Sequence, residues 1–83
     1  MNRKEMRELD YWLFQNIPGL RSNSRPTRDP SATMLVLEKC AARNVSIMIQ
    51  PVGNMWACET EIANTIPLAI CLFCKKLFEK GQQ

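Results

Sequence analysis

The stretch that decides the fold is TIPLAICLFCKKLFEK, at residues 65–80. Its apolar side chains recur at about 100° per residue, which predicts an amphipathic helix. One side of this helix collects Ile66, Ile70, Phe73, Cys74 and Leu77. The other side collects Leu68, Leu72, Lys75, Lys76 and Glu79. Because lysines indicate the solvated side, Leu68 and Leu72 are predicted to form an exposed apolar patch, which is typical of an interaction site.

The segment before this helix predicts a β-hairpin. Residues 45–50 alternate apolar and polar side chains, as a half-buried strand does, and residues 55–60 form the return strand. Trp56 and Cys58 fall on one face of that return strand. The turn between the strands is VGN at residues 52–54, where glycine and asparagine tolerate a positive φ.

Two further helices are predicted upstream of the hairpin. The first covers residues 2–17, because Asn2 and Glu5 have the spacing of a capping box. The second covers residues 30–43, because Asp29 and Pro30 supply an N-cap followed by proline at the first helical position. Residues 18–28 begin with the helix-ending pair Pro18 and Gly19, so they are predicted to form a loop.

These elements predict one α+β domain over residues 1–83, in the order α-α-β-β-α. Its small antiparallel sheet is a β-hairpin that packs against two or three helices. A third short strand from residues 20–27 can extend this sheet. A two-stranded hairpin is marginal in water unless other elements cover it. An unpaired strand edge and the patch on the last helix both leave surface to bury, so we expect a homodimer.

The composition predicts a folded cytoplasmic protein. The 83 residues are 46% hydrophobic and 23% charged, which is well above the disordered range. No apolar run approaches the roughly 18 residues that span a bilayer. The N-terminus is also too charged for a secretory signal.

The net charge of +3 is unevenly distributed. From Tyr11 to Arg28 there is no acidic residue, and the loop in this stretch carries Arg21, Arg25 and Arg28. The loop is therefore a candidate anion-facing surface. The alternative is a solvated connection, because three arginines are fewer than a strong phosphate-binding patch carries.

The four cysteines Cys40, Cys58, Cys71 and Cys74 are expected to be reduced thiols in the core, because disulfides are rare in the cytoplasm. A disulfide or redox pair is one alternative. A zinc site is another, because Cys71 and Cys74 have the C-x-x-C spacing. Zinc is disfavoured because no second close pair exists and the motif lies inside a helix. We therefore expect neither a metal nor a cofactor.

From residue 29 onward the chain resembles the small phage proteins grouped as the phage ABA sandwich domain. The matching features are DPSATMLVLEK at residues 29–39, a glycine-turn hairpin with Trp56, and NTIPLAIC at residues 64–71. The resemblance implies a phage or prophage origin, a layered helix-and-sheet fold and no catalytic residues. This chain departs from the family at Leu72, Phe73 and Cys74, which make the last helix more apolar.

The expected function is binding rather than catalysis. The chain has no histidine, the usual general base near neutral pH, and no Gly-rich phosphate loop. We expect a phage-encoded protein that binds a host or phage protein stoichiometrically, as a candidate inhibitor of a host defence system. The candidate partner-binding residues are Leu68, Leu72, Lys75, Lys76, Arg21, Arg25 and Arg28.

Two other functions stay open. The first is a nucleic-acid-binding phage accessory protein that uses Arg21, Arg25 and Arg28. The second is a structural homo-oligomeric phage component, in which Leu68 and Leu72 are buried in the protein's own dimer.

Overall fold

Helices and an antiparallel sheet form the two layers of the fold. The structure, a computed structural model, describes residues 2–43 and 46–81. The elements of these ranges are α1 Arg3–Asn16, α2 Pro30–Ala41, β1 Ile49–Val52, β2 Met55–Cys58, β3 Glu61–Ala63 and α3 Ile66–Gly81. The strand order in the sheet is β1-β2-β3. The predicted α+β class with a small antiparallel sheet is confirmed, and within these ranges no helix is long and apolar enough to cross a bilayer.

Local caps set the first residues of α1 and α2, as predicted. The Glu5 N–H donates to Asn2 Oδ1 at 2.8 Å, and the Asn2 N–H donates to Glu5 Oε1 at 3.3 Å. The Ser31 N–H donates to Asp29 Oδ1 at 3.1 Å, and Pro30 is the first residue of α2. These bonds satisfy N–H groups that have no partner within the helix.

The predicted hairpin is present, with shifted strand bounds. β1 begins at Ile49 rather than at residue 45, and the predicted start of the strand lies partly outside the described residues. β1 also runs on through Pro51 to Val52, because the turn needs only Gly53 and Asn54. Gly53 takes a φ of 61°, which costs glycine little.

The third strand follows β2 directly and does not come from residues 20–27, which form turns. Cys58 of β2 pairs with Glu61 of β3, so the connection is only Glu59 and Thr60. Glu59 takes a φ of 55°, a region that residues other than glycine seldom adopt. The return strand therefore ends at Cys58 and not at residue 60 as predicted.

The central element is α3, which packs against α1, α2, β2 and β3. Because its neighbours lie on several sides, the four consecutive residues 68–71 are all buried. Leu68 is 4% exposed and belongs to the core. The prediction that Leu68 lies on a solvated side of the helix is therefore wrong, and Leu72 is only partly exposed.

Candidate functional site

Strand pairing divides the sheet residues between an inner and an outer face. Cys58 is fully buried and belongs to the core, so its side of β2 faces the helices. Ala57 precedes Cys58 and therefore points to the other face. Gln50 of β1 and Ile62 of β3 are its cross-strand partners, so they share that outer face.

The outer sheet face carries large apolar side chains in water. We define this face as the six alternating residues Met48, Gln50, Val52, Met55, Ala57 and Ile62. Met48 precedes β1 and is held in register by the Glu59 N–H, which donates to its carbonyl oxygen at 3.0 Å. The exposed fractions are 61% for Met48, 42% for Val52, 40% for Met55 and 52% for Ile62. Antiparallel sheets with one solvated face usually alternate polar residues outward, and here Gln50 alone is polar.

The side chains of the outer sheet face are suited to contact with an apolar protein surface. None of its six side chains carries a charge, so nothing there would attract the phosphates of a nucleic acid. Met48 and Met55 are flexible and polarisable, and methionine recurs at surfaces that adapt to a partner. Exposed apolar patches of this kind mark interaction sites.

A cleft of about 360 Å³ at the β3 edge extends the outer sheet face towards α3. Met55 and Ile62 line it from the sheet, and Leu68 and Leu72 line it from the helix. The two leucines thus adjoin an exposed apolar surface, but they do not form one by themselves. The alternation of Met48 and Met55 with inward residues was the signal in the sequence that could have located this surface.

The two candidate lysines have partners within the chain. Lys76 Nζ lies 2.8 Å from Glu61 Oε2 of β3, in an ion pair whose lysine side chain is 62% exposed. Lys75 Nζ lies 5.8 Å from the centroid of the Trp12 ring, a cation–π distance. The lysines therefore help to attach α3 to its neighbours, and neither is grouped with the candidate arginines.

The three candidate arginines are exposed, but the structure does not bring them into one site. Arg28 lines a cleft together with Arg3 and Arg7, two residues outside the predicted partner-binding set. Arg21 and Arg25 do not line that cleft. The spacing of Arg3 and Arg7, four residues apart on one helix, was the available signal.

A buried contact positions Arg28. The Thr27 N–H donates to Asp10 Oδ1 at 3.0 Å, and Thr27 Oγ1 donates to Asp10 Oδ2 at 3.1 Å. Asp10 is 4% exposed and Thr27 is 1% exposed, so the end of the loop is attached to α1. Thr33 Oγ1 also donates to the Pro26 carbonyl oxygen at 2.6 Å, which attaches the same segment to α2.

The cysteines divide into a bonded pair and two free thiols. Cys40 of α2 and Cys74 of α3 form a disulfide, so the prediction of four reduced cysteines is wrong for this pair. Cys58 and Cys71 are free and buried. Burial raises the pKa of Cys58 to about 11, with smaller contributions from Glu59 and Glu61. Burial, with smaller contributions from Asp10 and Cys58, also raises the pKa of Cys71.

The described residues contain no group of three or more His, Cys, Asp or Glu side chains that could hold a metal ion. Cys71 and Cys74, the pair with zinc-ligand spacing, have different roles here. Cys74 is bonded to Cys40, and Cys71 remains a thiol.

Comparisons of this chain with protein-family models, with curated proteins and with solved structures found no match. The resemblance to the phage ABA sandwich domain therefore stays a prediction.

Proposed function

We propose that this protein works by stoichiometric protein binding without catalysis, and that the outer sheet face is its contact surface. The observation that carries the proposal is the exposure of Met48, Val52, Met55 and Ile62 on one face of the sheet. The occupant that we assign to this face is a second copy of the chain.

A second copy suits the outer sheet face because a twofold dimer joins the same patch on both subunits. An uncharged apolar patch is complementary to itself, whereas a charged patch would repel its own copy. The pairing would place two sheets face to face, about 10 Å apart, with helices on both outer sides. A single core in a chain of this length is only marginally stable, so association would also stabilise the fold.

The size of the sheet limits the strength of the dimer. Strands of four residues with neighbours about 4.8 Å apart give a face of roughly 14 Å by 14 Å. Covering this face on both copies buries roughly 400 Å² in total, well below the roughly 1,200 Å² at which standard-size interfaces begin, so the contact is a weak one. We therefore expect a dimer that dissociates on dilution through the micromolar range.

The chemistry of the thiols supports a role without catalysis. A cysteine nucleophile acts as the thiolate, and burial holds Cys58 and Cys71 in the protonated form near neutral pH. Neither thiol is exposed to a substrate. The chain also has no histidine that could take a proton from them.

The role as a phage-encoded inhibitor of a host defence system stays a prediction, because no residue of the outer sheet face specifies a target. The cytoplasmic location also stays a prediction. A bonded Cys40 and Cys74 pair is more usual in an oxidising compartment.

Sedimentation velocity over a concentration series tests the proposal. The unaltered protein should shift from monomer to dimer between about 10 μM and about 1 mM, as expected for a Kd of about 100 μM. Ile62→Lys places a charge on the β3 side of the face, beside Ala57 of the central strand, and should remain monomeric. Tyr11→Lys is the matched control, because Tyr11 is 59% exposed on α1, and it should dimerise normally. A monomer at every concentration, or dimerisation that survives Ile62→Lys, would contradict the proposal.

A further inference from the structure

We propose that the cleft between the N-terminal half of α1 and the end of the loop binds a phosphate group. We call it the arginine cleft and define it by its lining residues Arg3, Met6, Arg7, Asp10 and Arg28. Its volume is about 360 Å³, which lies within the range of small-molecule sites. It shares no residue with the outer sheet face, so this proposal is independent of the proposed function.

The fold brings the three guanidinium groups together from two elements. Arg3 and Arg7 lie four residues apart on α1, so their side chains project from the same face of that helix. Arg28 follows Thr27, whose N–H and hydroxyl are both bound to the Asp10 carboxylate. Because Asp10 lies one turn beyond Arg7 on α1, this contact places Arg28 beside the other two arginines.

The arginine cleft carries uncompensated positive charge. In the part of the chain that the structure describes, the one ion pair joins Lys76 to Glu61, so no carboxylate lies within ion-pair distance of Arg3, Arg7 or Arg28. Three guanidinium groups and one carboxylate leave a net charge of two positive units. The Asp10 oxygens already accept the two bonds from Thr27.

A phosphate monoester matches this charge. It carries about −1.5 to −2 at pH 7 and has three acceptor oxygens. Guanidinium groups bind phosphate oxygens in a bidentate fork, which a lysine cannot do. The side chain of Met6 supplies an apolar wall, against which the organic part of a small ester could pack.

The neighbouring cleft provides a second observation that favours an anion. It shares Met6 and Arg28 with the arginine cleft and continues to Thr65 and Pro67 at the N-terminus of α3. The N-terminus of this 16-residue helix is the positive end of its dipole. The potential along the joined clefts is therefore positive from α1 to α3.

Isothermal titration calorimetry with adenosine 5′-monophosphate tests the proposal, with adenosine as the control that lacks the phosphate. The unaltered protein should bind the monophosphate and not the nucleoside. Arg7→Gln combined with Arg28→Gln should weaken binding by about tenfold or more, since hydrogen bonds to charged groups are among the strongest in proteins. Arg21→Gln combined with Arg25→Gln is the matched control and should leave the affinity unchanged, because neither residue lines the cleft.

An oligothymidylate without terminal phosphates distinguishes the source of the phosphate. Suppose that the oligothymidylate binds, that the monophosphate does not bind, and that Arg7→Gln with Arg28→Gln abolishes binding of the oligothymidylate. The natural ligand is then the backbone of a single-stranded nucleic acid. Its affinity should then fall by about 2 log units per tenfold rise in salt, for three neutralised phosphates. Failure of both probes to bind at low salt would overturn the proposal. An equal loss of affinity in the Arg21 and Arg25 control would also overturn it.

Circular dichroism would verify that each variant is folded, and Arg3→Gln combined with Arg28→Gln serves as a second test pair.

Discussion

Replacing Asp10 with alanine should remove a large part of the stability of this protein. Asp10 Oδ1 and Oδ2 accept the Thr27 N–H at 3.0 Å and the Thr27 hydroxyl at 3.1 Å, and both residues are buried. Without the carboxylate, the buried N–H has no acceptor, which costs about 1 to 3 kcal/mol. The hydroxyl also loses a bond to a charged group, worth about 1.5 to 3 kcal/mol. We expect the free energy of unfolding to fall by about 3 kcal/mol in total. A chain of this length has a free energy of unfolding of roughly 4 to 12 kcal/mol.

Thermal unfolding followed by circular dichroism at pH 7 measures this loss. A change of about 3 kcal/mol should lower the Tm by about 12 to 24 °C in a domain of this size. Asp10→Asn is the matched control, because its amide oxygen can still accept the Thr27 N–H. It should lose about 1 kcal/mol, or about 4 to 8 °C.

A second control separates the two bonds from Thr27. Thr27→Val removes the hydroxyl and leaves the N–H, so its Tm should lie between those of Asp10→Ala and the unaltered protein. If Asp10→Ala unfolds within about 4 °C of the unaltered protein, the loss is below about 1 kcal/mol. That result would refute the reasoning, because a buried N–H would then have lost its acceptor at almost no cost.

Three further predictions concern the core. Reduction of the Cys40–Cys74 disulfide should lower the free energy of unfolding by up to about 3.8 kcal/mol, the loop-closure entropy for a sequence separation of 34 residues. Urea unfolding with and without a phosphine reductant measures this, and an unchanged midpoint would contradict it. Leu68→Ala should lower the free energy of unfolding by about 2 to 5 kcal/mol in the same assay, because Leu68 is 4% exposed. A loss below about 1 kcal/mol would place this side chain at the surface. Stability should also fall above about pH 9, because burial raises the pKa of Cys58 from 9.0 to about 11 and the unfolded chain releases the thiol proton first. Cys58 alone contributes a slope of up to about 1.4 kcal/mol per pH unit, so the urea midpoint of Cys58→Ala should fall less steeply with pH.

Features that depend on a few neighbouring residues could be predicted from the sequence. Asn2 and Glu5 satisfy each other's N–H groups, and Asp29 with Pro30 starts α2, so these helices begin where predicted. Gly53 likewise marks the hairpin turn. In each case the stabilising bond or backbone angle lies within three residues of the signal.

Features that depend on distant neighbours could not be predicted in this way. A helical wheel assigns a wet side to α3 from its lysines, but it does not show that other elements surround the first half of the helix, where Leu68 is buried. The arginine cleft depends on the contact between Asp10 and Thr27, which are 17 residues apart. The turn at Glu59 has no glycine or asparagine to indicate it, because a glutamate takes the positive φ.

The outer sheet face illustrates an intermediate case. Its alternation was visible in the sequence, and the prediction that Trp56 and Cys58 share one face of β2 is confirmed by the pairing. What the alternation could not show is which face the helices cover. The burial of Cys58 shows that the helices cover its face of the sheet, so Met55 and Ile62 on the opposite face are exposed to water.

The claim that two copies meet through their outer sheet faces is tested most directly by isotope-filtered NMR on a mixture of labelled and unlabelled protein. We expect intermolecular contacts between the methyl groups of Val52 and Ile62 and those of Met48 and Met55 at about 1 mM, where a micromolar dimer is populated. The methyl group of Met34, which is 54% exposed on α2, should show none. Intermolecular contacts from Met34 alone, or no contacts at all, would contradict the account.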